Sequence, residues 1–114
     1  MELLVKGKNL EVSDAIRRYA ERKLNKLGKQ TRKLEPVEVE LELAVETNPS
    51  IADNQVAEAT VWLKGHTLRA REATRDMRVS IDELTEKLVR QVKDERDRKA
   101  TKRKIDKHAL DADL

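Results

Sequence analysis

Val37-Glu38-Val39-Glu40-Leu41-Glu42-Leu43-Ala44-Val45-Glu46 alternates apolar and mostly acidic side chains with a period of two. Successive side chains of a β-strand point to opposite faces, so this pattern requires a strand with one dry face and one wet face. A sheet covered on one side only follows.

Reading toward the N-terminus, Ile16, Ala20, Leu24 and Leu27 recur at helical spacing. Ser13 offers a hydroxyl to cap that helix, and Asp14 adds negative charge at its positive end. Gly28 marks either the end of the helix or a weak point in its last turn. Before it, Glu2 to Lys6 reads as a short strand with Leu3 and Val5 on one face, ended by Gly7.

Toward the C-terminus, Thr47 to Gln55 is a polar loop containing Pro49. A third strand runs from about Val56 to Leu63, with Ala57, Ala59, Val61 and Leu63 inward and Glu58, Thr60 and Trp62 outward. Lys64 and Gly65 turn the chain into a fourth strand, where Leu68 and Ala70 point inward and Arg69 and Arg71 point out beside Trp62. The last element is a long helix, capped by Thr74 and striped by Met77, Ile81, Leu84, Leu88 and Val92.

The expected fold is therefore α+β: a two-layer β-α-β-β-β-α arrangement, with a four-stranded mixed sheet and both helices packed on one face. The two strands that flank the first helix should be parallel with a right-handed crossover, and hairpins should join the rest. One domain of about 1–100 is expected, followed by a basic and polar tail, 101–114, that is expected to be disordered.

Composition narrows the function. Charged residues make up 41% of the chain, against roughly 25% in an average globular domain, so the surface is strongly ionic. With no cysteine, thiolate metal sites and cysteine nucleophiles are excluded, a composition that suits a cytoplasmic protein. His66 and His108 are too scattered for a metal or acid/base pair, and Gly7, Gly28 and Gly65 are too isolated for a phosphate-cradling loop. The row Glu38, Glu40 and Glu42 lies on an exposed strand face without a constricting turn, which suits solvation better than cation binding. A non-enzymatic protein with no cofactor, no metal, no small-molecule substrate and no membrane partner is the expectation.

Charge is segregated along the sequence. Asp14 to Lys33 carries net +6, Glu35 to Glu58 net −7, and Lys93 to Lys104 net +4. On the first helix Arg18, Arg22, Lys26 and Lys29 form a ridge turned away from the core stripe, flanked by Lys23. Like charges at these spacings repel, and a polyanion would relieve the repulsion. On the second helix Lys87, Arg90, Lys93 and Arg96 are interleaved with acidic residues, so ordinary ion pairs compete with binding there. These nine residues are the candidate RNA contacts. Tyr19 and Trp62 are the only aromatic residues, so recognition should be by phosphate and shape rather than base stacking. Two other readings stand beside this one: a double-stranded RNA-binding module, and a protein-interaction adaptor using the acidic strand face.

Several local strings resemble one family. They are V-K-G-K-N-L-E-V-S-D-A-I-R at Val5 to Arg17, R-K-L-N-K-L at Arg22 to Leu27, A-E-A-T-V at Ala57 to Val61, and D-M-R-V-S-I-D-E-L-T-E-K-L-V-R-Q at Asp76 to Gln91. Over about Met1 to Lys99 the chain resembles the ribosome hibernation-promoting factors, also called ribosome-associated inhibitors. The resemblance implies binding to the small ribosomal subunit and its rRNA near the decoding centre, in the path of mRNA and tRNA, with translation silenced. It also implies that Lys23, Lys26, Lys87 and Arg90, with Arg17 and Arg22, face rRNA. Longer members add a C-terminal domain that pairs 70S ribosomes into dimers, and this sequence stops before such a domain. Arg78 stands where the family commonly has an aromatic residue, Gly28 where it has an acidic one, and Asp94 where it has a basic one.

Overall fold

The computed structural model describes residues 1–34 and 37–112, with side chains for all of these except Lys33 and 99–112. The elements are β1 (Glu2–Lys8), α1 (Asp14–Gln30), a short 3-10 turn (Arg32–Leu34), β2 (Glu38–Val45), β3 (Gln55–Leu63), β4 (His66–Thr74) and α2 (Met77–Ala112). They form a four-stranded sheet of order β1-β2-β3-β4. β1 runs parallel to β2, and the other two pairings are antiparallel. This is the expected β-α-β-β-β-α order with a mixed sheet.

The period-two strand is placed as its pattern demands. Val39, Leu41 and Leu43 are buried on the covered face, while Glu38, Glu40 and Glu42 lie on the open one. Register carries this division across the sheet, so that Val5, Leu41, Ala59 and Ala70 form one inward row. That row is large on β1 and β2 and small on β3 and β4. The alanines, with Ala57, leave a shallow trough into which α2 lays Ile81, Leu84 and Leu88, all fully buried. Ala20, Leu24 and Leu27 of α1 complete the same core.

Two local expectations are corrected. Gly7 does not end β1, because the strand continues to Lys8 with Gly7 opposite Leu43. The glycine is needed because the chain doubles back through Asn9, at φ 51°, and a side chain at Gly7 would collide with the Leu10 carbonyl. Thr74 ends β4 and does not cap α2. That role falls to Asp76, whose Oδ1 accepts the Arg78 amide at 2.8 Å.

Ser13 caps α1, its hydroxyl accepting the Ile16 amide at 3.2 Å. Gly28 sits inside the last turn of that helix, which ends at Gln30. Fully buried Ser80 donates to the Gln55 carbonyl at 2.6 Å and pins the start of α2 to β3. α2 continues as helix to Ala112. The tail expected over 101–114 concerns residues whose side chains, and in the case of 113 and 114 whose backbone, lie outside the described residues.

Candidate nucleic-acid interface

α1 and α2 pack side by side over the sheet, so each presents its outer flank to a shared groove. Helical spacing decides which residues reach it. On α1, Lys23 and Lys26 line the groove; on α2 it is lined by Asp82, Thr85, Glu86, Val89 and Arg90. The groove, about 490 Å3, is open to solvent and carries cations on both walls.

At the end nearer the α2 N-terminus, the walls are tied together. The Tyr19 phenol donates to Asp82 Oδ1 at 2.6 Å, and the Lys23 ammonium lies 3.5 Å from the same oxygen. Arg22, Lys23 and Arg78 surround the Tyr19 ring at 5.5, 5.5 and 5.2 Å from its centre. The hydrogen bond to Asp82, helped by burial, holds the Tyr19 phenol above its ordinary value, against the opposing pull of Arg78 and Arg22. At the other end Arg96 donates to Gln30 Oε1 at 3.0 Å, joining the last turn of α1 to α2.

The nine sequence-predicted cations separate into groups. Lys23, Lys26 and Arg90 line the groove, and Arg22 lies over the Tyr19 ring with Lys23. Lys93 lies one helical turn beyond Val89, on the stripe of α2 that faces α1. Arg18 and Lys29 are exposed along α1. Among the described residues, Arg18, Arg22, Lys26, Lys29, Arg90 and Lys93 make no ion pair. Lys87 lies elsewhere: it reaches over β4 to Glu72 at 3.4 Å, on the flank of α2 away from α1. Arg96 divides its donors between Gln30 and Asp97, the latter at 3.7 Å.

Arg17 serves the fold. Its guanidinium donates to the Val5 carbonyl at 2.7 Å and blunts the outer edge of β1. Sequence reasoning missed Arg78 and undervalued Tyr19. The signal for Arg78 was its departure from the family pattern; the signal for Tyr19 was absent, because only the packing of α1 on α2 brings it to Asp82.

The open face of the sheet has a different character. Lys6 sits between Glu40, at 2.6 Å, and Glu42, at 3.5 Å, and Glu40 first and Glu42 second hold its ammonium above the ordinary lysine value. The acidic row is thus partly neutralised by its own neighbour. Trp62, 40% exposed on this face, stands between Glu38 and Thr67 in the register rather than between arginines. Among the described residues no cluster of side chains could hold a metal ion, and no helix is long and apolar enough to cross a membrane.

Fold and groove together define a class: a two-layer α+β domain that carries basic side chains from both helices on the solvent side of its helical layer. The chain belongs to the family described as Sigma 54 modulation protein / S30EA ribosomal protein, which matches residues 3–100. It is 36% identical over 93 residues to the ribosome hibernation promotion factor of Picosynechococcus, covering 82% of this chain and 48% of that one. It is 39% identical over 89 residues to the factor of the same name from Lactococcus lactis, covering 78% and 46%. The chain thus spans about half the length of the curated relatives it matches. Among solved structures it resembles the N-terminal domain of Thermus thermophilus Protein Y, with TM-score 0.66 and 30% identity over 82% of this chain and 97% of that one. A ribosomal subunit interface protein from Coxiella burnetii shares the fold at TM-score 0.67 and 22% identity, over 84% and 98%.

Proposed function

We propose that the chain is a ribosome hibernation factor whose two-helix groove docks on small-subunit rRNA near the decoding centre, excluding mRNA and tRNA and so silencing translation in the cytoplasm. The observation that carries the reading is the convergence of Lys23 and Lys26 from α1 with Arg90 from α2 on one open groove. Neither helix alone concentrates these charges, and cations fixed on rigid elements neutralise a polyanion with little reordering. The names borne by the relatives point to the ribosome as the source of that polyanion.

Binding, rather than catalysis, is the activity the groove suits, because phosphate contacts position a protein on RNA without requiring chemistry. Affinity should fall steeply as salt rises. The test is co-sedimentation with small subunits in a sucrose gradient, where ribosome dimers are read in the same run. Lys23→Glu, Lys26→Glu and Arg90→Glu combined should abolish co-sedimentation and relieve the inhibition of translation; unchanged co-sedimentation overturns the site. Equal affinity for naked RNA duplex would instead favour an RNA-binding module acting off the ribosome.

A further inference from the structure

We infer that Arg22, Lys23 and Arg78, gathered around Tyr19, form a seat for a single backbone phosphate of the bound nucleic acid. The inference rests on the docking reading above and adds to it a specific site, with a residue that the charge pattern of the helices did not single out.

Energetically significant cation–π contacts occur about once per 70–80 residues in proteins. Here three cations share one ring, each within 5.5 Å of its centre. They come from both helices, so the cluster exists only in the folded chain. Among the described residues, Asp82 is the carboxylate bonded to side chains of the cluster, and its Oδ1 is already engaged by the Tyr19 phenol and Lys23. Neither arginine has an ion-pair partner among the described residues. The seat therefore holds more positive charge than its own carboxylate offsets.

Guanidinium forks suit the paired oxygens of a phosphodiester, and the lysine adds a point charge. Tyr19 is the positioning residue: its ring gathers the three cations and its hydroxyl donates to Asp82. Arg78 and Arg90, twelve residues apart on α2, are separated by about 18 Å at the helical rise, and Lys23 belongs both to the seat and to the groove between them.

Binding of the full chain to purified small subunits, followed across a salt series, tests the seat. Arg78→Gln should weaken binding and lower the salt slope by about one, so that the ratio of parent to variant affinity shrinks about threefold between about 50 and 200 mM salt. Asp82→Asn should tighten binding, because it removes the carboxylate nearest the phosphate while keeping an acceptor for Tyr19. Thermal melting of each variant guards against loss of fold.

If Arg78→Gln leaves affinity and slope unchanged while Lys26→Gln with Arg90→Gln lowers both, the seat is wrong and the docking groove stands. A loss of affinity with an unchanged slope also overturns the seat, since the partner of Arg78 would then be a base or a protein carboxylate. If none of these variants alters binding, the docking reading falls with it.

Discussion

Tyr19 and Asp82 lie 63 residues apart in sequence and meet at 2.6 Å, the phenol of α1 donating to the carboxylate of α2. The contact joins the two helices directly at the mouth of the groove. It also gives the interface a pH signature. A phenol held above its ordinary value means that the folded chain binds the proton more tightly than the unfolded chain. The stabilisation is therefore complete below the unfolded value of 10.0 and is lost as pH rises through the folded one. Tyr19 is the sole tyrosine, so phenolate absorbance reports it without ambiguity. Asp82→Asn should move that titration downward, and Tyr19→Phe should cost about 1 kcal/mol at neutral pH. An unmoved titration in Asp82→Asn would contradict the assignment.

Gly7→Ala should destabilise the fold although the residue sits in a strand, where alanine is ordinarily tolerated. The added carbon would meet the Leu10 carbonyl, which is backbone and cannot swing aside like a side chain. Relief requires moving the turn through Asn9 or the end of β1, at about 1–3 kcal/mol, measured as a lower denaturant midpoint. Gly28→Ala is the control. Its nearest neighbour is the Met1 methyl at 3.9 Å, and alanine is the better helix former, so a small gain in stability is expected.

Leu88→Ala should cost about 2–5 kcal/mol, because the side chain is fully buried in the core under α2 and its removal leaves a cavity there. In a domain whose whole stability is about 5–15 kcal/mol, this should shift the urea midpoint by a large fraction of its value.

The sheet was legible because period two leaves little freedom: once Val39, Leu41 and Leu43 face inward, every glutamate between them must face out. The helices were legible from Ile16 to Leu27 and from Met77 to Val92 for the same reason at a period of 3.6. Caps were less legible. Thr74 and Asp76 both suit the role, and the choice depends on where β4 releases the chain. The groove was legible only in part. Spacing along one helix shows which cations share a ridge, but not which flank meets the neighbouring helix. Arg17 and Lys87 look like their neighbours in the sequence, yet one is spent on the Val5 carbonyl and the other on Glu72. Tyr19 and Arg78 come together only through tertiary packing.

Lys87 and Arg90 give the sharpest comparison, since both are basic, three residues apart and on the same helix. Arg90 lines the groove with no ion pair among the described residues, so neutralising it should remove one phosphate contact. Arg90→Gln should then lower the salt slope of small-subunit binding by about one. Lys87 is turned toward β4, with its ammonium 3.4 Å from Glu72, and Lys87→Gln should leave the slope within error. Its cost should appear in stability instead, and only slightly, because half-exposed ion pairs contribute about 0–1 kcal/mol. Paired measurements of slope and urea midpoint separate the two roles. Should Lys87→Gln reduce the slope as much as Arg90→Gln, the nucleic acid must reach across α2 onto the β4 flank, and the groove alone would not describe the interface.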